Sequence, residues 1–118
     1  MDEFAARTGR RYSLVEYRGA PDAERVILVM GSGTGAVEET VETMVAAGEK
    51  VGMIVVRLFQ PFPAAQLMAA LPKTVKQIAV LDRTKEPGAV GEPFYQAVVT
   101  AFVEAMDADE PPFAVAPK

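Results

Sequence analysis

The chain has 118 residues, half of them apolar, with 12 basic and 16 acidic side chains and a net charge of −4. That length is one domain's worth; the interspersed charge leaves no basic footprint for nucleic acid or an anionic membrane, and the apolar runs are too short to span a bilayer. With no cysteine and no histidine, the chain lacks the thiolates of an iron–sulfur cluster or disulfide, the usual general base and the commonest zinc ligand.

Charge and glycine dominate from Met1 to Glu24, where Tyr12 to Tyr17 alternates apolar and polar residues. Residues 1–24 therefore read as a lead-in segment holding a candidate edge strand, and residues 25–118 as a single α/β domain. Nothing at the amino end has the basic-then-apolar form of a secretory signal, which points to a cytoplasmic setting. Val26-Ile27-Leu28-Val29-Met30 is a continuous apolar run, the signature of a strand covered on both faces. Gly31 to Gly35 follows at once and opens a helix, with Thr34 as candidate cap and Glu38 and Glu39 as favourable acids in its first turn. Val37, Val41, Met44 and Val45 recur at helical spacing until Gly48 stops the helix. Val51 to Arg57 is a second buried strand, completing a βαβ crossover of expected right hand.

Pro61 and Pro63 break the chain, after which a short helix runs from Ala64 to Leu71 and ends before Pro72. Ile78 to Leu81 reads as a third buried strand that delivers charge to a loop. Pro93 opens the last helix, whose stripe of Phe94, Ala97, Val98, Ala101, Phe102 and Ala105 is the most sustained in the sequence. Phe113-Ala114-Val115 reads as the start of a further parallel strand. A three-layer α/β/α packing around a mainly parallel sheet is the economical fold.

Three stretches offer chemistry. Gly31-x-Gly33-x-x-Ala36 fits a relaxed dinucleotide fingerprint in the right surroundings, and Gly31, Ser32, Gly33 and Thr34 are candidates to hold an anion through backbone amides. The acidic residue that should end the second strand is missing, however; Arg57 stands there and suits a 2′-phosphate. The competing reading is that a tight strand-to-helix turn wants glycine for its backbone alone. Ser32 has no histidine to activate it, so a hydrolase is a poor reading.

The second stretch is the loop Asp82-Arg83-Thr84-Lys85-Glu86, followed by Pro87-Gly88 and by Glu92. Its acids can be an acid/base set, its bases can grip a phosphate-bearing ligand such as coenzyme A, or the whole can be a salt-bridged domain interface. The third stretch carries Arg57, Phe59, Pro61 and Phe62 out of a strand, as interface anchors or as a loop folded back on its own sheet.

Leu81-Asp82-Arg83-Thr84-Lys85-Glu86-Pro87-Gly88-Ala89 with Gly91-Glu92-Pro93 resembles the second domain of pyruvate:ferredoxin (flavodoxin) oxidoreductases. Tyr17-Arg18-Gly19-Ala20-Pro21-Asp22-Ala23-Glu24, Met30-Gly31-Ser32-Gly33 and Val56-Arg57-Leu58-Phe59-Gln60-Pro61-Phe62 resemble the same domain, in the family's order. The resemblance implies the fold of the carboxy-terminal domain of transketolase. It further implies an excised piece of an enzyme that oxidatively decarboxylates pyruvate to acetyl-coenzyme A and CO2 and passes electrons to ferredoxin or flavodoxin. The parent is implied to be a homodimer using thiamine diphosphate, Mg, [4Fe-4S] clusters and coenzyme A, all held by other domains.

No catalytic residue or metal ligand of the family carries over to this chain, which is expected to bind no cofactor and to have no activity alone. Its expected role is a scaffold, with Asp82, Arg83, Thr84, Lys85, Glu86, Glu92, Phe59 and Phe62 as domain-interface candidates. The alternatives are a nucleotide- or coenzyme A-binding module built on the Gly31–Gly35 turn and Arg57, or the same domain of another 2-oxoacid:ferredoxin oxidoreductase.

Overall fold

The computed structural model describes residues 3, 6, 7, 13–82, 87, 88, 90–109 and 111–118. Among them, four strands form one sheet: β1 (Val15–Gly19), β2 (Arg25–Val29), β3 (Val51–Val56) and β4 (Gln77–Leu81), in the spatial order β1-β3-β2-β4. β2, β3 and β4 are parallel, and Val29 lies opposite Val55 on one side and Leu81 on the other. β1 is antiparallel to β3 and pairs Val15 with Val56 and Gly19 with Gly52. The register brings these two glycines together, and the approach needs a bare Cα: a Cβ on Gly19 would stand 2.5 Å from the Gly52 Cα, and Gly19 has φ of 135°. Neither constraint leaves room for a side chain at that position.

The apolar run of β3 is buried at every one of its six positions, as two covered faces require. One face is covered by α1 (Thr34–Ala46), which brings Val37, Val41 and Met44 onto Val29, Val51, Met53 and Val55. The opposite face is covered by α2 (Ala64–Ala70) and α3 (Pro93–Met106), where Leu67, Phe94 and Val98 pack on Val26, Leu28, Ile54 and Val56. This is the expected three-layer α/β/α arrangement around a mainly parallel sheet.

Helix ends follow local chemistry. α1 stops at Gly48, whose φ is 90°; its N–H donates to Val45 O at 2.9 Å and the next N–H, of Glu49, to Met44 O at 3.0 Å. That pair of bonds is a Schellman stop. The start of α1 differs from expectation. Gly31–Gly33 forms a 3-10 turn that runs straight into the helix, so Thr34 is a helical residue whose hydroxyl donates back to Gly31 O at 2.7 Å instead of capping. The first turn of α1 contains no acidic residue; Glu38 lies beyond it and pairs with Arg18 of β1.

Two strand expectations are corrected. β4 is not buried: its positions alternate between exposed and half-buried, and Leu81 keeps 43% of its surface in solvent. It is an edge strand whose α1-side face is left open, because α1 sits over β3 and β1. Phe113-Ala114-Val115 forms no strand. Phe113 is instead tucked under the domain, stacked on Phe102 at 6.1 Å with the Lys73 Nζ 5.1 Å from its ring centre. The strand-like pairing falls further on: Lys118 donates to Lys76 O at 2.9 Å and accepts from the N–H of Ile78 at 2.6 Å, a single parallel rung on β4. No described helix is long and apolar enough to cross a membrane.

Candidate interface at the carboxyl ends of the parallel strands

Three parallel strands end together at Val29, Val56 and Leu81, and in open α/β sheets the crevice beyond such ends is where ligands and partners are met. Here that crevice has a volume of about 690 Å³ and is lined by Met30, Gly31, Thr34, Arg57, Phe59, Leu81, Asp82 and Phe94, among others. Residues from all three sequence stretches thus converge on one rim. In the sequence nothing sets its apolar floor of Met30, Val55, Leu81 and Phe94 apart from ordinary core.

The charged groups at the rim are engaged within the domain. Asp82 accepts from the N–H of Phe94 at 2.8 Å and of Tyr95 at 3.3 Å, the second and third residues of α3. It therefore caps the helix from across a loop, satisfying two N–H groups that no intrahelical carbonyl can reach. Pro93, at the first helical position, needs no such partner. Glu92 precedes it in extended backbone, and its carbonyl accepts from the Gln96 N–H at 2.9 Å. Arg83, Thr84, Lys85 and Glu86 lie outside the described residues, as does the side chain of Ser32.

Arg57 is tied to the segment that enters β1. Its backbone N–H donates to Leu14 O at 2.8 Å, Nη1 donates to Ser13 O at 3.0 Å, and Nη2 donates to Glu16 Oε2 at 2.7 Å. Glu16 also accepts from Arg18 Nε at 2.9 Å, and Arg18 reaches Glu38 on α1. Burial works against the Glu16 charge, but the hydrogen bonds and charges of Arg57 and Arg18 outweigh it and hold the carboxyl below the usual glutamate range. Neither Ser13 nor Glu16 stood out in the sequence, because their link to Arg57 spans more than forty residues.

Phe59 lines the crevice, whereas Phe62 is half-buried and meets Phe94 edge-on at 6.4 Å. Phe62 thus folds back toward its own domain, after a cis Gln60–Pro61 bond. Gly31, Gly33 and Thr34 sit in the 3-10 turn and the start of α1. Gly31 has φ of 76°, so this position uses the backbone freedom of glycine. A Cβ there would meet nothing within 4 Å, so the requirement is conformational and not one of close approach.

Residues 23–110 match the family model described as pyruvate:ferredoxin oxidoreductase core domain II. The chain is 64% identical over 104 residues to a pyruvate-flavodoxin oxidoreductase of Trichormus variabilis, covering 88% of this chain and 9% of that protein. It is 58% identical over 104 residues to a pyruvate:ferredoxin oxidoreductase of Moorella thermoacetica, with the same coverage. It is 54% identical over 110 residues to a probable pyruvate-flavodoxin oxidoreductase of Escherichia coli, covering 93% of this chain and 9% of that protein. Among solved structures, a 2-oxoglutarate:ferredoxin oxidoreductase of Magnetococcus marinus superposes with a TM-score of 0.54 at 24% identity, over 91% of this chain and 17% of that one. That likeness is one of fold. The sequence matches and the shared architecture agree, and the chain belongs to the pyruvate:ferredoxin oxidoreductase core domain II family, spanning 9% of the length of these full-size relatives.

Proposed function

We propose that this chain is a scaffold domain of an enzyme that oxidatively decarboxylates pyruvate to acetyl-coenzyme A and CO2, with ferredoxin or flavodoxin as electron acceptor. The parent is cytoplasmic and homodimeric, and other domains hold its thiamine diphosphate, Mg, [4Fe-4S] clusters and coenzyme A. Residues 25–118, with the lead-in 1–24 ahead of them, are the unit that keeps those neighbours in register. Preorganisation of this kind raises rate without touching substrate. An iron–sulfur cluster does not fit this chain, which has no cysteine to hold it. Among the described residues no group of three or more His, Cys, Asp or Glu is gathered as a metal site.

The observation that carries the reading is the rim. Asp82 is engaged in capping α3, Arg57 in holding the entry to β1, and the Thr34 hydroxyl in the Gly31 carbonyl. What lies between them is an apolar floor, the form of a contact surface more than of a phosphate cradle. Arg83, Thr84, Lys85, Glu86 and Glu92 complete the proposed interface, with Phe59 inside the crevice and Phe62 beside it.

The binding-module reading draws on the same crevice, because Gly31, Thr34 and Arg57 all face it. Calorimetric titration of the 118-residue chain with coenzyme A and with NADP separates the two. A scaffold gives no saturable heat. Saturable binding that Arg57→Gln abolishes would replace the scaffold with a nucleotide-binding module.

A further inference from the structure

Arg57 joins two parts of the fold that the sequence keeps far apart. Because β1 is antiparallel to β3, the start of β1 lies beside the end of β3, at the same rim as the crevice. The lead-in residues Ser13 and Leu14 therefore arrive where the parallel strands finish. Two bonds from Arg57 receive them, its backbone N–H to Leu14 O and Nη1 to Ser13 O, and a third, from Nη2, holds Glu16 of β1. Glu16 passes the tie to Arg18, and Arg18 to Glu38 on α1. Entry segment, strand end and helix are thus linked by a continuous chain of charge-assisted bonds.

We propose that Arg57 is a positioning residue, a latch that fixes the direction in which the lead-in segment meets the crevice rim. This deepens the scaffold reading and rests on it: a domain that keeps neighbours in register needs a defined entry angle for its own chain. Main-chain pairing of β1 with β3 sets the register of the strand, and the Arg57 N–H to Leu14 O bond carries it one residue ahead of Val15. Ser13 is ahead of that pairing, and its carbonyl is held by the guanidinium. The planar fork is what the task requires, because it addresses two acceptors in different directions at once. A lysine ammonium on a flexible stem makes the same charge but not the same geometry.

The test uses amide exchange on the 118-residue chain, followed by NMR, in Arg57→Gln, Arg57→Lys and Glu16→Gln. Local opening is read residue by residue in such data. Arg57→Gln is expected to speed exchange of the residue-57 and Glu16 amides about tenfold while the β2 amides stay unchanged, with Lys and Glu16→Gln intermediate. A second readout uses the absence of native cysteine: a spin label on Ser13→Cys should broaden the resonances of Phe59 and Asp82, and Arg57→Gln should weaken that broadening.

Unchanged exchange and broadening in Arg57→Gln would overturn the latch. So would a uniform loss of protection across the sheet, which marks global destabilisation. Saturable coenzyme A binding would instead overturn the scaffold reading, and the two failures are read in separate experiments.

Discussion

Asp82 shows how a residue selected for its charge turns out to serve a backbone. Its carboxylate takes the N–H groups of Phe94 and Tyr95, and hydrogen bonds to a charged acceptor at a helix start are among the stronger kind. Asp82→Ala is expected to lower stability by about 1–2 kcal/mol, seen as a lower urea midpoint at unchanged slope. Glu16 makes a pH prediction. Its folded pKa is depressed, so its contribution is fully present above the unfolded glutamate value and is lost as pH falls through the lower folded value. Wild type should therefore hold a stability advantage over Glu16→Gln at neutral pH, and the gap should close on acidification below the usual glutamate range. Denaturation midpoints measured from pH 7 downward check this; a gap independent of pH would contradict the charge argument.

At the scale of elements, α1 is defined more sharply at its end than at its start. The Gly48 stop needs a left-handed residue, and Gly48→Ala should cost about 1 kcal/mol, read as a lower thermal midpoint by circular dichroism. The start of α1 is spread over several residues by the 3-10 turn at Gly31–Gly33, and it too rests on one left-handed glycine, Gly31. β3 is covered on both faces while β4 is half open. The difference comes from place in the sheet, because both strands are short runs of similar apolar character.

On the scale of the whole molecule, α3 buries Phe94, Val98 and Ala101 but leaves Tyr95, Val99 and Val103 exposed along its flank, where they border a groove with Ile78 and Val80 of β4. Residues at this spacing form one continuous stripe on a helix. Contiguous exposed apolar surface of this sort favours association. The 118-residue chain is expected to self-associate with rising concentration in sedimentation experiments, and Val103→Glu to shift it toward monomer. A monodisperse wild-type monomer would count against the reading of this chain as a domain that faces neighbours.

Period and punctuation in the sequence determined the βαβ unit, the stop at Gly48, the stripe of α3 and the three-layer class, because these depend on spacing within a dozen residues and on the backbone needs of glycine and proline. The long idiosyncratic run from Leu81 to Ala89 carried the family. Tertiary structure alone decided that Asp82 caps α3, that Arg57 belongs to Ser13 and Glu16, that β4 is an edge, and that Phe113 packs on Phe102 instead of starting a strand. Each of those depends on which distant segments the sheet order makes neighbours, and a charge or an aromatic ring in one segment carries no record of the partner that the fold will bring to it.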